Sequence, residues 1–217
     1  MVVQMASGRK SAGGGIANIL GASAEVTAEN TISEALHVLV HDAENEVIKL
    51  ASVLNVCFLQ DTLITLSDKT QKKIQDLKED DLLLSFKFNN LDNFNKDNEY
   101  LLNWYSKNLQ GDISDTKVLE LWSNETEEYY IINDKLKVTP EHLLFVQKNN
   151  IYEWYSAKNL KKGYKLLNDS NKLIEINKIE KKREKKKVYN IKLKGIMNYY
   201  ANNFLVHGSS KCDECGK

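Results

Sequence analysis

From Cys57 to Gly208 the chain is a succession of short β-prone runs, and that rhythm constrains its fold more than any other feature. The runs are residues 62–66, 81–88, 117–122, 129–132, 143–146, 152–155, 188–193 and 198–206. Asn-Lys, Ser-Asp and Asn-Asn turn signals stand between them, and little helical periodicity interrupts them. Regular short strands of this kind predict a mainly β domain. An internal echo predicts duplication within it. Ile74-Gln75-Asp76-Leu77-Lys78-Glu79-Asp80-Asp81-Leu82-Leu83 returns as Ala157-Lys158-Asn159-Leu160-Lys161-Lys162-Gly163-Tyr164-Lys165-Leu166. Two copies are too few for a solenoid.

The β grammar has edges. Residues 1–56 hold nine alanines, five glycines and only three Lys or Arg, whereas residues 57–208 contain just two alanines, Ala157 and Ala201. A shift that sharp marks a segment under different constraint starting at Cys57. Within the first segment, Thr31-Ile32-Ser33-Glu34 has capping-box spacing. Ile32, Leu36, Leu39, Val40, Ala43, Val47, Leu50, Ala51 and Leu54 then follow at helical steps, predicting an amphipathic helix over roughly 32–54. After Gly208 the composition changes again. Three segments are expected: a flank over 1–56, a β domain over 57–208 and a second flank over 209–217.

Charge and composition remove several function classes. Thirty basic and thirty acidic side chains cancel, which argues against nucleic-acid binding by bulk electrostatics. A hydrophobic share of 42% is globular, and no apolar run is long enough to cross a bilayer. The first ten residues lack the pattern of a secretory signal, and three cysteines cannot form a disulfide framework. The expectation is a cytoplasmic, monomeric globular protein with no membrane partner.

Three motifs are read in their plainer sense. Gly8-Arg9-Lys10-Ser11 and Gly13-Gly14-Gly15 have the wrong order for a phosphate loop and no strand before them, so they read as flexible linker. Lys178 to Lys187, broken by Glu180 and Glu184, reads as a solvated loop or hairpin tip rather than a nucleic-acid contact. Cys212-x-x-Cys215 has the spacing of half a zinc site. His37 and His41, four apart on one helical face, are the candidates to complete it, but the expectation is no metal and no cofactor.

The informative set is Cys57, Thr139-Pro140-Glu141-His142 and the stretch from Val188 to Gly208. Together these pieces resemble the Hint fold of inteins and hedgehog-type self-processing domains. Cys57-Phe58-Leu59-Gln60-Asp61-Thr62-Leu63-Ile64, with the region of Asp76-Leu77-Lys78, is similar to the intein N-terminal motif. Val138-Thr139-Pro140-Glu141-His142 is similar to the internal Thr-x-x-His motif. Val188-Tyr189-Asn190-Ile191 and Met197 through Gly208 resemble the two C-terminal motifs laid end to end. The resemblance spans 57–208, which is mini-intein length, and leaves no room for an endonuclease between His142 and Val188. It implies two related β halves, which the internal echo suits.

What the resemblance implies chemically is self-processing in cis on the flanking, host-like segments. The Cys57 thiol would attack the Val56 carbonyl, with His142 as general acid to the scissile nitrogen and Thr139 bonded nearby. Histidine suits that role because its unperturbed pKa lies near neutrality. The C-terminal machinery departs from the pattern. Splicing ends on His-Asn, whereas this chain has His207-Gly208, and glycine has no amide to cyclise. Met197 stands where an assisting His is usual, and Asn190 where Asp is common. Ser209 takes the place of the acceptor nucleophile. The function implied is an N–S acyl shift at Val56–Cys57 with impaired C-terminal cleavage, a single-turnover reaction. The alternative is an inactive Hint-like β domain serving as an insert or interaction module.

Overall fold

A computed structural model describes residues 56–94 and 98–208 of the chain. The expected helix over 32–54, both flanks apart from Val56, and with them Ser209, Cys212, Cys215, His37 and His41, lie outside the described residues. The β expectation holds: the described residues form fourteen strands, two single 3-10 turns and one short helix. In chain order they run β1 (Phe58–Leu59), β2 (Leu63–Thr65), β3 (Gln71–Lys73), β4 (Leu82–Phe88), α1 (Asn98–Asn103), β5 (Tyr105–Ser106) and β6 (Gly111–Ile132). Then come β7 (Leu136–Val138), β8 (Leu143–Lys148), β9 (Ile151–Ser156), β10 (Lys165–Leu167), β11 (Leu173–Glu175), β12 (Ile179–Lys194), β13 (Asn198–Ala201) and β14 (Phe204–His207).

Asparagine pairs make the tight hairpins. Asn149 and Asn150 have φ of 50° and 62° between the paired residues Lys148 and Ile151. Asn202 and Asn203, at 46° and 72°, do the same between Ala201 and Phe204. Two successive left-handed residues match the twist of a two-residue hairpin, and Asn tolerates that region better than other side chains with a Cβ. The run expected as one strand over 198–206 is therefore two strands, β13 and β14.

The internal echo is a repeated backbone unit. Ile74–Asp76 and Ala157–Asn159 are both 3-10 turns, closed by Leu77 N–H to Ile74 O and by Leu160 N–H to Ala157 O, each at 3.3 Å. The first residue of each turn donates to the residue just ahead of an earlier strand, β2 or β8: Ile74 N–H to Thr62 O at 2.8 Å, and Ala157 N–H to His142 O at 2.9 Å. Each is followed by a left-handed residue, Asp80 (φ 69°) or Gly163 (φ 86°), that leads into a strand. By this correspondence Leu59-x-x-Thr62 in one half is the counterpart of Thr139-x-x-His142 in the other. The matching bonds are Thr62 N–H to Leu59 O and His142 N–H to Thr139 O, both at 3.3 Å.

Two sheets carry the strands. One has the order β12-β1-β7-β6-β4, and β12 also pairs with β6. The other runs β11-β10-β8-β14-β13-β2-β3, with β9 on β8 and β5 on β9. The expected loop over Lys178–Lys187 is instead the outer half of β12, antiparallel to β6 from Ile179↔Ile132 to Lys194↔Lys117. Cross-strand charge explains why so basic a run is strand. Lys181 meets Glu128 at 2.8 Å and Lys185 meets Glu125 at 2.7 Å, while Lys182 bonds Glu180 at 3.0 Å within its own strand. The short runs expected at 117–122 and 129–132 likewise merge into the single 22-residue β6. Inside, one large apolar cluster includes Phe58, Val138, Leu193, Met197 and Tyr199, and a second gathers Phe86, Phe88, Phe145, Trp154 and Tyr200.

Candidate active site

Strand β1 is two residues long, and its neighbours fix everything near Cys57. Phe58 pairs with Tyr189 of β12 on one side and with Val138 of β7 on the other. Because strand side chains alternate, Phe58 enters the main core while Cys57 and Leu59 turn to a smaller cluster with Tyr129 and Val188. Val56 and Cys57 are both buried. The Val56–Cys57 peptide thus lies inside the domain. Burial pushes the Cys57 thiol up to about 12.

Thr139 follows β7 and grips Cys57 by its backbone. The Cys57 N–H donates to Thr139 Oγ1 at 2.7 Å. The same hydroxyl donates to the Cys57 carbonyl at 3.0 Å, and the Thr139 N–H reaches that carbonyl at 3.0 Å as well. One side chain holds both polar groups of the residue whose nitrogen belongs to the buried peptide.

His142 lies one short turn further on and is fully buried. Its ring packs on Phe58, centroid to centroid at 4.1 Å. Neither ring nitrogen reaches full hydrogen-bond geometry, although the backbones of Val56 and His207 lie close to the ring. Burial drives its pKa down to about 3, and the charge of a protonated His207 pushes the same way, while the backbones of His207 and Val56 oppose both more weakly. His142 is therefore neutral at physiological pH and lies beside both ends of the domain. The group on the Cys57 nitrogen is the Thr139 hydroxyl.

The C-terminal end is equally enclosed. His207 pairs with Asn198 across the β13–β14 hairpin and packs edge-on against Trp154, with centroids 5.7 Å apart. The Gly208 N–H donates to the Met197 carbonyl at 2.7 Å. Met197 is buried in the main core. The Asn190 carboxamide accepts from its neighbour, the Ile191 N–H, at 2.8 Å. Asn198, next to Met197, clamps β4 by donating to Phe86 O and accepting from Phe86 N–H, both at 2.9 Å.

Cys57, Thr139, His142, His207 and Gly208 thus come from three stretches of chain and converge on one buried region. Comparison with solved structures then decides the fold. The chain is similar to a bacterial intein-like domain from Clostridium thermocellum, at 22% identity and a TM-score of 0.53 over 70% of this chain and 98% of that one. It is similar to a DnaB intein from Synechocystis sp. PCC 6803, at 18% identity and a TM-score of 0.52 over 71% and 99%. It is similar too to the PabCDC21-1 intein, at 17% identity and a TM-score of 0.51 over 70% and 98%.

This chain has the Hint fold.

No family model matches the sequence, and comparison with curated proteins finds no match. Within this Hint domain, three neighbours of the site escaped the sequence reading. Phe58 supports the His142 ring. Tyr199 is fully buried with an unpartnered hydroxyl. Leu193 packs where a side chain at 208 would lie. Phe58 and Tyr199 sit inside quoted motifs as ordinary aromatic strand residues, and Leu193 is one apolar position among many in β12. Nothing in one sequence distinguishes them.

Proposed function

We propose that residues 57–208 process their own flanks by an N–S acyl shift at Val56–Cys57, the chemistry of inteins. The sulfur bonds to the Val56 carbonyl carbon, the bond from that carbon to the Cys57 nitrogen breaks, and the thiol proton ends on the freed amine. No atom enters or leaves. The observation that carries the reading is the double grip of Thr139 on Cys57, beside a fully buried imidazole close to the Val56 backbone. Thr139 holds the peptide still, which is the positional part of the catalysis. His142, beside the Val56 backbone, serves as general acid to the departing nitrogen, since an imidazolium of depressed pKa gives up its proton readily. Enclosure keeps water from the thioester. The chain acts in cis, and residues 1–56 and 209–217 are the segments it acts on.

The pKa values of the resting site also favour one alternative, an inert insert. A thiol pushed to about 12 and an imidazole to about 3 make proton transfer strongly uphill before any rearrangement. One experiment separates the two. Incubating the full chain with a small thiol should release a fragment ending at Val56, read by intact mass. Cys57→Ala removes the nucleophile and should abolish release with the fold intact. His142→Ala should slow it by about two to four orders of magnitude. Release that continues in Cys57→Ala, or no release from wild type, overturns the proposal.

A further inference from the structure

Gly208 is a glycine for lack of room rather than for its backbone conformation. Gly111, Gly163 and Gly195 have positive φ, whereas Gly208 does not, so its backbone suits any L residue. Space is the obstacle. A Cβ placed on Gly208 would overlap Leu193 Cδ1 and come within 3.2 Å of Leu193 Cγ. The nearest other atom, the Met197 carbonyl oxygen, is 3.5 Å away, an ordinary contact. Leu193 cannot swing out to solvent, being 2% exposed in the main core near the end of β12.

We propose that Leu193 sets the identity of residue 208: its side chain fills the space that a terminal side chain would need, closing the C-terminal junction by packing as well as by the missing amide. Restoring asparagine at 208 is then insufficient by itself, because the carboxamide has no place to fold back on its own carbonyl. The chemical half of this inference rests on the intein-type reading above, while the packing half stands without it.

The test couples the two positions. Gly208→Ala should lower the melting temperature by roughly 5 °C when Leu193 is present, since overpacking a filled core is costly. With Leu193→Ala in place the same change should cost roughly 1 °C or less, because the two side chains share one space. If Leu193→Ala does not fold, Leu193→Val draws the branch back and replaces it in the cycle. Equal losses in both backgrounds overturn the packing claim. For the chemistry, Gly208→Asn should yield little fragment beginning at Ser209, and Gly208→Asn with Leu193→Ala at least about tenfold more, by mass spectrometry. Equal yields from those two proteins overturn Leu193 as the barrier. Thiol-induced release at Val56 is followed in the same samples. Its absence from every sample, wild type included, marks failure of the intein-type reading instead, and the melting cycle still decides the packing claim.

Discussion

A buried polar atom without a partner is the most telling kind of residue in this domain, because its cost must be offset by the rest of the fold. His142 has two such atoms. Its pKa is about 3 in the folded chain and near 6.5 when unfolded. Between those values the unfolded chain binds a proton that the folded chain does not. The stability this group leaves intact is therefore fully present above about pH 6.5 and is lost as pH falls toward 3, at about 1.4 kcal/mol per pH unit. Denaturant titrations between pH 4 and pH 7 should show this slope in wild type, and His142→Gln should lose it. A variant with an unchanged slope would mean the imidazole is hydrated or paired. Tyr199 poses the complementary case. Its hydroxyl is buried and unpartnered, so Tyr199→Phe should raise stability by about 1 kcal/mol in the same assay. A loss instead would reveal a hydrogen bond to that hydroxyl.

At the level of elements, the two 3-10 turns make the most direct test of the duplication. Gly163 and Asp80 hold equivalent left-handed positions, one at no steric cost and one with strain. A Cβ on Gly163 would meet nothing within 4 Å, so Gly163→Ala should lose about 1 kcal/mol for purely conformational reasons. Asp80→Gly should be neutral or gain up to about 1 kcal/mol, since the Lys117–Asp80 pair it removes is exposed. Denaturation midpoints at constant m-value check both. The echo was legible in sequence because turns are local and their residue types follow from φ. Strand length was not. The Lys and Glu residues of 178–187 look like loop when read singly, and become strand only when Glu125 and Glu128 stand across from them on β6. The same limit applies to the site. Cys57, Thr139 and His142 could be picked out by motif, but that Thr139 rather than His142 touches the Cys57 nitrogen depends on the β1–β7 pairing.

At the scale of the whole described domain, what matters is how deeply its two ends, Cys57 and Gly208, are built into the fold. The last strand, β14, lies between β13 and β8, bonded to both through Val206↔Tyr199 and Val206↔Leu144. Its side chains serve both apolar clusters, Phe204 and Val206 one and Leu205 the other. The chain up to Gly208 is thus structural, and no described contact requires anything after it. A chain ending at Gly208 should melt within about 2 °C of the full one, whereas a chain ending at Asn203 should show no cooperative transition. The second loss is large because it strips two strand edges and three core side chains together, well beyond the few kcal/mol by which a domain is stable. The first comparison also tests the terminal cysteines. A metal held by Cys212, Cys215, His37 and His41 would add its binding energy to folding, so a chelator would lower the melting temperature of the full chain and leave the shortened one unmoved. Equal melting of the two chains with and without chelator is the expected result. It would mean that the fold ends at Gly208, where Leu193 closes it.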